Sequence, residues 1–233
     1  MSIDNKLYQQ KWQKFLGRIW PFRFIPFVDF VLAAGSLATG NVNENSDFDV
    51  IVGVRQGRIF TARFFCWLAF GMFGWRAKHP NSSQSSSLQY TVLLKWRHPS
   101  RDKVCFNHFV TSATYRLSPS YNEYWQNLYK NLAPVYGSPE AIQKFYDANS
   151  DWMGSKRIYQ DNLRHKYKKS GIIKRFREYL LGGDFGDWLE NKLKPIQIKR
   201  IKQGLNSQAV YKPRIIYNDN ELEFHPDTKR TMI

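Results

Sequence analysis

Two carboxylates, Asp47 and Asp49, follow the pair Gly35-Ser36 after ten intervening residues in the segment VLAAGSLATGNVNENSDFDVIV. On an extended strand, residues two apart project from the same face. Carboxylates held side by side repel one another, and a cation between them keeps both ionised. All-oxygen ligands favour Mg²⁺ or Mn²⁺, ions that also hold phosphates. Gly35 lets backbone approach a phosphate closely, and the Ser36 hydroxyl and the N–H groups after it can donate to that phosphate. An isolated Asp-x-Asp is commonly surface charge, and an isolated Gly-Ser a turn; it is their combination between two apolar runs that points to chemistry. Other phosphate-binding patterns do not fit. Gly35 and Gly40 lack the Lys-Ser/Thr that completes a P-loop, and the chain contains no G-x-G-x-x-G.

The elements that must position these groups can be read from periodicity. Residues 27–34 form an apolar run, interrupted by Asp29, that predicts a buried strand, and residues 47–52 alternate as a second strand. Residues 4–16 predict an amphipathic helix and residues 58–75 a largely buried one. The twelve apolar residues 64–75 fall short of the roughly 20 needed to span a bilayer, so no membrane span is expected. A serine-rich loop leads to a predicted hairpin, strands 88–96 and 103–111 around His98-Pro99-Ser100. From residue 118 helices are expected: 118–131 and 138–149 with Pro119 and Pro139 in their first positions, a third through the basic block to 181, and a fourth over 185–203 that Pro195 should kink or divide. Residues 214–217 and 221–224 flank Asn218-Asp219-Asn220 as a possible small hairpin. The expected organisation is a core over 1–117 and a helical, basic region over 118–233.

Composition sets outer bounds. The chain has 233 residues, 42% hydrophobic and 23% charged, which excludes wholesale disorder and fibrous classes. Aromatics reach 16%, enough large rings to require a sizeable core. Cys66 and Cys105 lie in apolar surroundings and suggest neither a disulfide framework nor a zinc site. The polar N-terminal stretch has no apolar h-region, so a cytoplasmic protein is expected. Charge is uneven: of a net +16, residues 156–214 carry 16 basic and 5 acidic side chains. Such a block attracts polyanions such as nucleic acid, nucleotides or anionic lipid, or forms a solvated helical face. Lys166, Lys168, Lys169, Lys174, Arg175 and Arg177 are the candidate nucleic-acid contacts. Interleaved aromatics suit RNA, although at helical spacing they also suit a core.

Gly35-Ser36 followed by Asp47-Phe48-Asp49 resembles the signature of the DNA polymerase β-like nucleotidyltransferase superfamily, in its minimal nucleotidyltransferase branch. Residues 57–63, 102–107 and 221–226 are also similar to a group of bacterial and archaeal nucleotidyltransferase-domain proteins. The motif-bearing resemblance covers about residues 25–112. It implies an α+β fold, a mixed sheet flanked by helices, followed here by the basic helical region. It further implies that Gly35, Ser36 and Ser46 bind the nucleotide, that Asp47 and Asp49 bind Mg²⁺ or Mn²⁺, and that an NMP moves from an NTP to an acceptor hydroxyl on a protein, an RNA or a small molecule. Arg58 and Arg63 flank the helix after the second strand as candidate phosphate contacts, a place that structural salt bridges would explain equally well, and an acidic protein is a candidate partner. In the family a third carboxylate stands on a later strand. Here that strand reads Val104-Cys105-Phe106-Asn107-His108-Phe109, with no acid; Asp102 lies at its start. Asn107 takes the catalytic position, able to offer an amide oxygen to a metal, and His108 is expected on the opposite face. The missing acid keeps a second reading open: a catalytically weakened nucleotide- or RNA-binding module, or an antitoxin-like partner protein.

Overall fold

A computed structural model describes residues 3–77, 100–119, 121–205 and 214–225. The apolar run after Phe27 becomes β1 (Val28–Ala33) and the alternating run after Asp47 becomes β2 (Phe48–Val54). A helical turn, α2 (Gly35–Thr39), and the Asn-rich loop join them. The helix α3 (Ile59–Met72) then crosses over to β3 (Val104–Val110), which lies parallel to β2. Among the described residues, antiparallel partners bring the mixed sheet to six strands. β4 (Ala133–Gly137) pairs with β1, and the hairpin β5 (Arg214–Tyr217)–β6 (Glu221–His225) joins through β6 to β3. The order is β4-β1-β2-β3-β6-β5.

The sheet is covered on both faces. Phe48, Val50, Val52 and Val54 of β2, with Val104, Phe106 and Phe109 of β3, pack under Trp12 and Phe15 of α1 (Ile3–Arg18) and under α3. Phe30, Leu32 and Ile51 face the other way, against α4 (Glu123–Asn131) and α5 (Pro139–Asp147). Each layer therefore buries the apolar side of one set of strand positions, as a two-sided sheet requires. Outside this sandwich lie α6 (Ile172–Leu180) and α7 (Gly183–Leu205), with α7 packed on α3.

The α3 N-terminus is capped from a distance. Both oxygens of Glu190 on α7 accept hydrogen bonds at 2.8 Å, one from Phe60 N and one from Thr61 N. The carboxylate satisfies two of the four N–H groups a helix leaves unpaired at its start. Burial nonetheless raises the Glu190 carboxyl above its ordinary range, against the hydrogen bonds that lower it.

The expected α+β class and mixed sheet are present. Several boundaries differ for identifiable reasons. Residues 155–171 are not helical, so the helix expected through the basic block is confined to α6. The Arg157 guanidinium straps the preceding segment to the carbonyls of Tyr129 and Leu132 and lies over the Tyr146 ring, an arrangement that takes extended chain. The helix expected from residue 118 begins at Glu123, where the Asn122 side chain accepts from Trp125 N at 3.1 Å. Pro195 divides nothing: α7 runs through it. The strand β4 had no sequence expectation, because Pro134 lies within it. Proline is tolerated there because β4 is an edge strand. Three of the six strands come from beyond residue 117, so the sheet spans both expected regions. The strand expected over 88–96, its turn and the serine-rich loop lie outside the described residues.

Candidate metal and nucleotide site

The site lies where β1 ends and β2 begins. Phe48 and Val50 both point into the α1–α3 side, so Asp49 between them projects from the opposite face, toward α4. Ala34 N donates to Asp49 O at 2.9 Å, tying the end of β1 to the start of β2. Gly35 follows with φ +59°, and a Cβ built on it would lie 2.1 Å from Asp49 Oδ2. Only glycine gives both the left-handed backbone and the room. Gly35 and the Asp49 carboxylate are thus brought into contact, with Ser36 next to Gly35 in α2.

Asp47, Asp49 and Cys105 each offer one ligand atom, all within 4.8 Å of one another. Both aspartates are partly exposed, whereas Cys105 is buried. Burial, followed by the charges of Asp49 and Asp47, pushes the Cys105 thiol well above its ordinary range. Its neutral S–H donates to Asn107 Oδ1 at 2.8 Å, and Asn107 Nδ2 donates to Asp49 Oδ1 at 2.8 Å. Tyr124 on α4 also feels the cluster: burial, then the Asp49 charge, raises its hydroxyl. The two aspartates supply oxygen donors of the kind a hard divalent ion takes, and both are partly open to solvent. Without a metal the Cys105 thiol stays protonated and is engaged by Asn107 Oδ1.

Asn107 is an orienting group. Its amide NH₂ points at Asp49 and its oxygen is taken up by Cys105, so in this arrangement it offers no oxygen to an ion on the aspartates. His108 is not on the opposite face. The β2–β3 register passes from Asp49↔Cys105 to Ile51↔His108, two steps on one strand against three on the other. This bulge resets the alternation: Phe106 and Phe109 both enter the α1–α3 core, which leaves Asn107 and His108 together on the α4 face.

The α1 helix holds the loop that carries Asp47. Lys11 Nζ donates to the carbonyls of Glu44 at 2.7 Å and Ser46 at 2.9 Å, and pairs with Asp102 at 2.9 Å. Lys14 pairs with Asp102 at 2.6 Å, and the Asp102 carbonyl accepts from Arg18. Burial works to raise the Asp102 carboxyl, but the hydrogen bonds and charges of the two lysines outweigh it and hold it below the ordinary range. Asp102 is a structural anchor: its carboxylate is held by the two lysines and does not join the Asp47–Asp49 pair. The Ser46 hydroxyl accepts from Asn43 N at 2.9 Å, so it closes the turn beside Asp47.

The two arginines are placed elsewhere. Arg58 follows the far end of β2, about 20 Å from Asp47 at 3.3 Å per residue. There it pairs with Asp187 at 2.5 Å. Arg63 is buried, donates to Gln197 Oε1 at 2.6 Å and lies over Trp67 at 3.7 Å. Burial, reinforced by Arg76, pulls its pKa down to about 9. Neither borders the aspartates. Of the candidate nucleic-acid contacts, Lys174 is buried and Arg177 donates to Phe24 O at 3.0 Å, while Lys166, Lys168, Lys169 and Arg175 are exposed.

A second group escaped sequence reading. Glu221 and Glu223 on β6 stand beside His108, and one ligand atom from each of the three lies within 4.8 Å of the others. His108 Nε2 is 3.0 Å from Glu221 Oε1. The available signal was the alternation Glu-Leu-Glu-Phe in the terminal hairpin, which acquires meaning only once β6 is paired with β3.

Searches of protein-family models, curated proteins and solved structures gave no match to this chain. No described helix is long and apolar enough to cross a membrane.

Proposed function

We propose that the chain is a Mg²⁺-dependent nucleotidyltransferase, moving an NMP from an NTP to an acceptor hydroxyl. The observation that carries this reading is the contact between Gly35 and Asp49. A left-handed glycine turn and a pair of carboxylates are set against each other where β1 ends and β2 begins, an arrangement that suits a phosphate beside a cation. Asp47 and Asp49 would hold the divalent ion, which would supply neutralisation of phosphate charge during transfer. Gly35 and Ser36 would receive the phosphates with backbone N–H groups and a hydroxyl. Asn107 holds the Asp49 carboxylate in position, and α1, through Lys11, fixes the loop before it. Among the described residues no third carboxylate joins the aspartate pair, which leaves activation of the acceptor to the substrate or a partner, and supports a nucleotide-binding module as the second reading.

The test is the double variant Asp47→Asn/Asp49→Asn, titrated with each of the four NTPs with and without Mg²⁺. Metal-dependent NTP binding should vanish while the fold persists. Without metal, the melting temperature should rise as like-charge repulsion is relieved. NTP affinity unchanged in the double variant would remove the proposal. Incubation of the wild type with labelled NTPs then separates transfer from binding alone.

A further inference from the structure

The α6 helix is docked inside out. With Ile172 as the origin and 100° per residue, Ile172, Phe176, Leu180, Ile173 and Tyr179 fall in one arc of about 120°. Lys174 and Glu178 lie diametrically opposite. In most surface helices the apolar arc faces the protein; here the polar arc does. Lys174 is 2% exposed, donates to Val28 O at 2.5 Å and pairs with Glu178 at 3.4 Å. Glu178 accepts from Phe27 N at 2.8 Å and pairs with Arg55 at 3.1 Å. The apolar arc is left to solvent, with Ile172 85% exposed, Tyr179 83% and Phe176 59%. Arg175 and Arg177 flank it at the two borders. Next along the chain, Phe185 and Trp188 stack on each other at 5.7 Å and are also exposed.

Such an arc exceeds the scattered apolar residues of an ordinary surface and marks a contact site. Its charge surroundings select the occupant. The block of residues 156–214 carries 16 basic and 5 acidic side chains, so a second copy would bring like charge against like charge. The side chains protrude with most of their surface free, a raised apolar ridge with cations on both flanks and Lys166, Lys168 and Lys169 exposed just upstream. A ridge of that kind matches the interface of an anionic bilayer, where apolar and aromatic side chains enter the acyl boundary and Arg and Lys reach phosphate headgroups. We propose that α6 is a peripheral membrane-docking ridge for anionic lipid.

The experiment is flotation of the full chain with phosphatidylcholine vesicles, with and without phosphatidylserine, over a salt series. The wild type should float with phosphatidylserine vesicles and lose binding as salt rises. Ile172→Glu/Phe176→Glu should lower vesicle affinity by at least roughly tenfold, the scale set by two apolar side chains that no longer enter an apolar phase. Tyr179→Glu/Leu180→Glu, at the other end of the helix, should do the same, and Phe176→Leu should not. All four positions are solvent-exposed, so circular dichroism melts should stay close to wild type. Three results would each overturn the proposal: no binding of wild type to phosphatidylserine vesicles at low salt; binding undiminished in both double variants, which would leave charge alone; or a wild-type dimer in sedimentation that the double variants abolish. Loss of binding to a short single-stranded RNA in the same variants, with vesicle binding intact, would reassign the ridge to base stacking.

Discussion

Gly35 lies so close to the Asp49 carboxylate that any Cβ at position 35 would overlap Oδ2 at 2.1 Å. The left-handed backbone at Gly35 and the close approach have one consequence. The turn after β1 is pressed against the acid that leads β2, so a phosphate held by the turn would meet a metal held by the acid.

Gly35→Ala should therefore damage both stability and binding. The positive φ alone costs about 1 kcal/mol for a residue with a Cβ, and the overlap must be relieved by moving the Asp49 side chain or the turn. A melting temperature several degrees lower is expected, together with loss of Mg²⁺-dependent NTP binding beyond what the stability loss accounts for. Wild-type binding in a folded Gly35→Ala protein would show that the close approach serves packing only.

Asn107→Asp introduces a third carboxylate at the atom that now donates to Asp49 Oδ1. Without metal the new charge repels Asp49, so the melting temperature should fall; with Mg²⁺ it should recover or exceed wild type. If the architecture is otherwise competent, transfer should increase, since a positioned general base contributes typically 10²–10⁴-fold. A melting temperature insensitive to Mg²⁺ in this variant would argue against an ion on Asp47 and Asp49.

Lys174→Met tests the inverted docking of α6. Methionine keeps the stem's bulk but leaves the Val28 carbonyl without this donor and removes one cation from Glu178. A loss of about 1–3 kcal/mol is expected for breaking a buried, charge-assisted contact. Trypsin should cut after Arg175 or Arg177 faster than in wild type, because α6 would release from the body. Unchanged stability and cleavage would mean that the helix is held by something other than its polar arc.

The motif itself was fully legible: strand, Gly35-Ser36, loop and Asp47-x-Asp49 follow from residue types and alternation, and the structure assembles them at one sheet end. What could not be read was non-local. The face of His108 depends on a register slip between two strands joined by a long crossover, and alternation within β3 alone gives the wrong side. Glu221 and Glu223 become neighbours of His108 only through pairing across more than a hundred residues. The periodicity of α6 was visible, but its polarity was not: an apolar arc reads as core-facing unless one knows that Lys174 and Glu178 find Val28, Phe27 and Arg55 inside. The choice between phosphate contact and a structural role for Arg63 is likewise non-local: its cation is buried against Trp67 and Gln197.

The ion-paired Asp102 sets an acid limit on the fold and, through Lys11, on the loop bearing Asp47. Its carboxyl is depressed below the ordinary value of 3.8 because the folded state favours the charged form. Stability from this group is therefore complete above the unfolded pKa and is lost as pH falls through the lower, folded value. Asp102→Asn keeps a residue that tolerates the φ of +60° at this position, but removes the charge. The variant should be less stable than wild type at neutral pH, and the two proteins should converge as the solution is acidified past that window. Because Lys11 also grips the Glu44 and Ser46 carbonyls, Lys11→Met should loosen the loop, weakening Mg²⁺-dependent NTP binding even at neutral pH, where Asp102 is still ionised. Melting temperatures of wild type and Asp102→Asn that stay a constant distance apart down the acid limb would show that the carboxylate is not the titrating group.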